Sequence, residues 1–203
     1  QPATRIASLR LDWISAASAK QRAGRAGRVR AGVCYRLWPS AMELEAEEAP
    51  EITRAPLEEL LLQACLLGAS SPAAFLGRAP QPPRAQAVSC ALANLVELQA
   101  LTPRAGRTVA LTPLGRQLAS LPLDPRLGKM LLLGALCGVL HTILTVAAAL
   151  AAPRPVLSAP RERQADASAA HRAAFGGTRS DLLAAAAAYD GWVAARAAGA
   201  RAE

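Results

Sequence analysis

The sequence predicts a mainly α-helical protein that begins with the end of an α/β domain. Three observations carry this reading. Hydrophobic residues make up 52% of the chain but aromatics only 3%, so a core must be built from Leu, Ala and Val, a composition that favours helix over sheet. Apolar residues fall at helical spacing from Leu57 to Leu67, from Arg84 to Leu98 and again from Asp124 onward. Against that background the alternation Val33-Tyr35-Leu37 reads as a half-buried strand. A chain of 203 residues has room for one large or two small domains with a buried core.

The first element is the most informative. Gln21-Arg22-Ala23-Gly24-Arg25-Ala26-Gly27-Arg28 places three arginines between small Ala-Gly pairs, and a guanidinium fork with little bulk around it can meet a phosphate bidentately. Arg/Gly composition also occurs in RNA-binding tails. The flanking Trp13-Ile14 and the alternating Val33 to Leu37 favour an ordered anion-contacting loop or helix start instead. Residues 41 to 56 are rich in Glu and read as a connector restricted by Pro50 and Pro56.

A helix is expected from Leu57 to Leu67 with Gly68 as its C-terminal cap. A second runs from about Arg84 to Leu98, with Val88, Leu92, Leu95 and Val96 on one face. Residues 102 to 111 then carry a hairpin signal, with Gly106 between two short extended runs. Helices followed by a two-stranded wing describe a winged-helix module over Ala55 to Ala119. Such a module either places a helix in a duplex groove or braces neighbouring domains.

From Asp124 the chain reads as wholly helical. Met130 to Ala152 holds no Asp, Glu, Lys or Arg, which is long enough to raise a transmembrane helix. Gly134, Gly138 and His141-Thr142 interrupt it, so two soluble helices with a turn are expected and no membrane association. A Pro-punctuated loop from Ala152 to Pro160 should follow. Two more helices should then run from about Arg161 to Phe175 and from about Arg179 to Ala198, the second N-capped by Ser180 and packed closely through Ala184 to Ala188.

The net charge of +8 is unevenly spread. Residues 1 to 36 hold eight Lys/Arg against one Asp, residues 37 to 60 hold one Arg against seven Glu, and the remainder is again basic. That pattern fits a phosphate-contacting protein with one face turned elsewhere; for the body, a general preference for arginine is the other explanation, since 21 of the 23 cations are Arg. Cys34, Cys65, Cys90 and Cys137 show no Cys-x-x-Cys spacing. They are expected to be small core side chains in a reducing compartment, with no zinc or other metal site. His141 is expected to be a satisfied turn or core residue.

The segment Gln21 to Arg28 is similar, nearly letter for letter, to the last signature motif of the DEAH-box RNA helicases, which lies in the second of their two RecA-like domains. Pro50-Glu51-Ile52-Thr53-Arg54 resembles the family's Pro-Glu-Ile-x-Arg. Leu111-Thr112-Pro113-Leu114-Gly115-Arg116 resembles the start of its winged-helix exit, and Leu121-Pro122-Leu123-Asp124-Pro125-Arg126-Leu127-Gly128-Lys129-Met130-Leu131 the beginning of its ratchet, or helicase-associated, domain. Arg179-Ser180-Asp181 with Ala188-Tyr189-Asp190-Gly191-Trp192 resembles a landmark deeper in the ratchet. Leu182 departs from the family's His there, and Gln99 stands where Gly is common.

The resemblance implies a division into residues 1–54 (C-terminal part of the second RecA-like domain), 55–119 (winged helix) and 120–203 (ratchet, incomplete). It implies an ATP-dependent RNA helicase, cytoplasmic or nuclear, that grips single-stranded RNA with weak sequence preference; a protein activator is a further implied partner. Gln21 matches the glutamine near the attacking water, and Arg25 and Arg28 match the arginines that reach the β- and γ-phosphates. Arg22 matches no finger position, and Arg30 has no matched role. ATP and Mg2+ would be held mainly elsewhere, because these residues contain neither Gly-x-x-x-x-Gly-Lys-Ser/Thr nor Asp-Glu-x-His. The chain by itself is therefore expected to be inactive. The alternative is a non-catalytic winged-helix and ratchet module that binds nucleic acid or protein.

Overall fold

The computed structural model describes residues 11–152, 159–175 and 180–199. Residues 153–158 of the expected Pro-rich loop, and Arg179 of the expected ratchet landmark, lie outside them. The described residues are mainly helical. The order is α1 (Ala16–Ala23), α2 (Glu58–Leu66), α3 (Pro72–Leu76), α4 (Ala85–Glu97), β1 (Leu101–Arg104), β2 (Thr108–Leu111), α5 (Pro113–Ser120), α6 (Pro125–Leu136), α7 (Leu140–Ala151), α8 (Gln164–Phe175) and α9 (Asp181–Ala197). Strands β1 and β2 form one antiparallel pair, with Leu101 opposite Leu111 and Arg104 opposite Thr108. Gly106 turns the hairpin at φ 70°.

The main core lies where α2, α4 and α5 meet the foot of this hairpin. Leu61, Leu62, Leu95 and Leu118 are essentially solvent-free, and full burial of each such side chain is worth about 1.5–3 kcal/mol. Val88, Ala91 and Leu101 complete the same cluster. Polar contacts fix the relative placement of the helices. Gln63 Nε2 donates to the Ala119 carbonyl at 2.6 Å, joining α2 to α5, and Asn94 Nδ2 donates to Glu58 Oε1 at 2.8 Å, joining α4 to α2.

Helices α2, α4 and α6 end in the same motif with different sequences. After α2, Gly68 takes φ 94° while its N–H donates to the Cys65 carbonyl and the Ala69 N–H donates to Ala64. This Schellman arrangement satisfies carbonyls that the helix leaves open. After α4, Gln99 does the same at φ 63°, with its N–H on Val96 and the Ala100 N–H on Leu95. A Cβ in this conformation crowds the backbone, so Gln99→Gly is expected to raise stability by about 1 kcal/mol. Urea unfolding of the two proteins measures the difference; an unchanged or lower midpoint would contradict it.

The expected helical pair after Asp124 is present as α6 and α7, turned at Gly138 with φ 71°. Gly134 allows the close approach: a Cβ there would lie 2.9 Å from Cγ1 of Ile143. Among the described residues no helix is long and apolar enough to cross a membrane. Ser180 caps α9 as expected, its Oγ accepting the Leu183 N–H at 3.4 Å.

Two expectations fail. Residues 33–37 form no strand, and Val33, Tyr35 and Leu37 are 73%, 83% and 93% exposed. A strand needs a neighbour to take its ladder hydrogen bonds, and the only strand pair among the described residues is β1 with β2. The cysteines are not all core: Cys34 and Cys137 are exposed. Only Cys65 and Cys90 are partly covered, and burial pushes the Cys65 thiol above its ordinary range. Apolar neighbours in sequence did not translate into apolar neighbours in space, because Cys34 lies in an exposed stretch without regular structure and Cys137 ends α6 at a turn.

Candidate phosphate-contacting site

Helix α1 begins at Ser15, whose Oγ accepts the Ser18 N–H at 3.1 Å. The two preceding helix N–H groups are taken by a later part of the chain: Ala16 donates to the Glu45 carbonyl at 2.8 Å and Ala17 to the Ala46 carbonyl at 3.1 Å. Helix N-termini attract anions through their free N–H groups. Here those groups are already satisfied, so this end is not the anion site.

The arginines gather at the other end. Of the expected loop or helix start, the loop holds for Arg25 and Arg28, which lie in the turns beyond α1, while Gln21 and Arg22 lie in the last turn of α1, a helix end and not a start. Gly24 N–H donates to Lys20, Arg25 N–H to Arg22 and Ala26 N–H to Ala23, which tightens the chain as it leaves the helix. Gly27 then takes φ 80°, and the backbone folds back so far that a Cβ on Gly32 would stand 2.7 Å from the Gly27 nitrogen. The small residues between the arginines are therefore the condition for this compact turn.

Gln21, Arg22, Arg25, Arg28 and Arg30 are all exposed. Arg25 and Arg28 form no ion pair or side-chain hydrogen bond with a described residue, so both forks remain available. Lys20 and Arg22, in the last turn of α1, complement the partial negative charge of a helix C-terminus, which supplies Arg22 with a structural reason independent of phosphate. The Glu-rich connector reaches the opposite end of α1 through Glu45 and Ala46. Eight helical residues span about 12 Å, so these backbone contacts lie a helix length away from the arginine turn. Within the connector, Glu48 and Arg54 pair at 3.5 Å; both are largely exposed, which makes the pair worth little.

His141, expected to be a satisfied turn or core residue, is not in the core but has a partner just after the turn at Gly138. It is exposed near the start of α7, and its Nε2 lies 3.4 Å from Asp190 Oδ1 on α9. Leu182 is exposed. Tyr189 and Trp192 face each other at 5.9 Å, and the Arg196 guanidinium sits 5.3 Å from the Trp192 ring. Lys129 has a role the sequence reading missed. Its Nζ donates to the Leu98 carbonyl at 2.9 Å, so α6 is tied to the end of α4. Only its long sequence separation from Leu98 hid it, because a cation near a helix C-terminus is a common cap.

Two family models match the chain: the winged-helix part of the helicase associated domain (HA2) over residues 91–123 and its ratchet-like part over residues 124–185. The DExH-box ATP-dependent RNA helicase DExH1 of Arabidopsis thaliana is 45% identical over 190 residues, covering 93% of this chain and 19% of that protein. The ATP-dependent DNA/RNA helicase DHX36 of Homo sapiens is 44% identical over 201 residues, covering 98% of this chain and 19% of that protein. The DExH2 helicase of Arabidopsis thaliana is 38% identical over 204 residues, covering 98% and 13%.

The hairpin with the end of α4 and with α5 thus matches the winged-helix part of a helicase associated domain, and residues 124–185 match its ratchet-like part. Over most of its length the chain is similar to proteins named as DExH/DEAH-box RNA helicases. It spans about a fifth of the length of the first two relatives.

Proposed function

We propose that this chain is the part of an ATP-dependent RNA helicase that completes the nucleotide site with arginine fingers and couples hydrolysis to movement along single-stranded RNA. The observation that carries the reading is the pair of uncommitted, exposed forks of Arg25 and Arg28 on a glycine-tightened turn, in a chain related along nearly its whole length to named helicases. We assign residues 1–54 to the second RecA-like domain, 55–119 to the winged helix and 120–203 to the ratchet. The family-model matches support the last two over residues 91–185.

The residues present fit phosphate oxygens and do not fit a magnesium ion, since no carboxylate lies among Gln21 to Arg28. Mg2+ would be held by a phosphate loop and acidic motif outside these 203 residues, and there it would neutralise charge on the phosphates. Arg25 and Arg28 would draw charge from the transferring oxygens as it grows, the main service a protein gives phosphoryl transfer. Gln21 would orient the attacking water. Arg30 has no part. Nucleic-acid grip through the phosphate backbone would be salt-sensitive and indifferent to sequence.

The full-length protein is expected to hydrolyse ATP faster when single-stranded RNA is added, whereas the 203-residue chain alone is expected to show no turnover. Steady-state ATPase assays on both preparations test this. A full-length protein inert with ATP would favour the second reading, a non-catalytic module whose winged helix and ratchet dock nucleic acid or protein. Stoichiometric turnover by the chain alone would overturn the division of labour.

A further inference from the structure

An open groove of about 700 Å³ runs between α3, α4 and the hairpin, away from the arginine turn. Its floor is aliphatic: Leu92, Ala93 and Val96 from α4 face Pro103 and Val109 of the hairpin. Its rim is cationic. Arg104 lines it directly, Arg84 stands between the lining residues Pro83 and Ala85, and Arg78 follows the lining residue Gly77. All three arginines are exposed, and none has a side-chain ion pair or side-chain hydrogen bond with a described residue. From residue 60 to residue 123 the sequence has five arginines and one carboxylate, Glu97.

We propose that this groove docks an acidic amphipathic segment of a partner protein, with apolar side chains on the aliphatic floor and carboxylates on Arg78, Arg84 and Arg104. The lining decides between peptide and nucleic acid. Bases bind single-strand platforms by stacking on aromatic rings, and no aromatic residue lines this groove. Leu- or Ile-sized side chains fit an aliphatic trough, and guanidinium forks take carboxylates bidentately. Strand addition is disfavoured at β1 because Pro103 has no N–H to offer, so the segment binds as a helix across α4 and the hairpin.

The test uses the whole chain and a labelled peptide of roughly 16 residues, about 24 Å as a helix, with Leu at i, i+3, i+4 and i+7 and Glu elsewhere. Fluorescence anisotropy is expected to show saturable binding that fades with salt and is absent when every Glu is replaced by Lys. Ala93→Gln, at an exposed lining position, should fill the floor, and the Arg84→Ala, Arg104→Ala double variant should remove rim charge. Each is expected to weaken binding about tenfold. Ser89→Gln serves as a second floor variant should Ala93→Gln alter the circular dichroism spectrum.

Absence of saturable binding overturns the proposal, as does binding indifferent to both kinds of variant. If a uridine oligonucleotide displaces the peptide and depends on the same arginines, the face belongs to nucleic acid. Concentration-dependent dimerisation lost in Ala93→Gln would instead assign the groove to a second copy, whose residues 43–52 are also acidic and apolar. Either result overturns the partner assignment.

Discussion

Arg25→Lys in the full-length protein is expected to lower RNA-stimulated ATP turnover by about a thousandfold, the scale on which arginine fingers act, while RNA affinity changes less than about threefold. Lysine keeps the charge but loses the planar fork, and a single ammonium cannot hold two oxygens in a fixed geometry. Arg28→Ala should fall comparably. Arg30→Ala, which changes a neighbouring exposed arginine with no matched role, should leave turnover close to that of the parent. The informative measurement is the ATPase rate at saturating RNA beside equilibrium RNA binding, because a loss made only in the transition state lowers kcat and kcat/KM together. Weakened RNA binding with turnover per bound complex intact would make the turn an RNA contact and end the finger assignment.

What could be read from the sequence depended on how local the signal was. Helices α2, α4, α6, α7 and α9 carry apolar periodicity or a cap within one window, and Gly68, Gly106, Gly138 and Ser180 all act where their residue type suggested. Helix α3 is only five residues long, too short for periodicity to register. Helix α5 is marked in the sequence only by Thr112 before Pro113, a cap followed by proline at the first helical position. The failed strand at residues 33–37 has a different cause: alternation reports one face's preference for burial, but pairing needs a second strand that no local window contains.

The candidate site divides along the same line. That Arg25 and Arg28 form a unit was legible, since spacing and small intervening residues lie within eight positions. That the unit sits at the C-terminal end of α1 was not. The placement depends on Glu45 and Ala46 reaching back to the opposite end of the helix, a contact between residues almost thirty apart. The Lys129 tie to Leu98 and the His141 pair with Asp190 are likewise long-range, and composition or spacing alone does not encode them.

Gly115→Ala is expected to be the most damaging single methyl in the winged helix. A Cβ there would overlap the Ala100 carbonyl oxygen, lie 2.9 Å from the carbonyl carbon of the same residue and 3.0 Å from Cδ2 of Leu111. The Ala100 backbone is not free to retreat. The Ala100 oxygen already accepts the Thr112 N–H at 3.1 Å, Ala100 is fully buried, and its own N–H closes the α4 cap on Leu95. The hydroxyl of Thr112 donates to the Gln99 carbonyl at 2.7 Å and accepts the Gly115 N–H at 2.9 Å, so moving α5 away would break its cap. Overpacking against backbone with no slack costs about 3 kcal/mol or more, a large share of a total stability of roughly 5–15 kcal/mol. Gly68→Ala provides the comparison: its φ of 94° is strained for Ala, but nothing lies within 4 Å of the added atom, so a loss of about 1–2 kcal/mol is expected. Urea unfolding of the chain followed by circular dichroism separates the two. If Gly115→Ala unfolds within about 0.5 kcal/mol of the parent, the ordinary range for a surface change, then α5 is not seated against Ala100 as described, and the packing that joins the end of α4 to α5 must be redrawn.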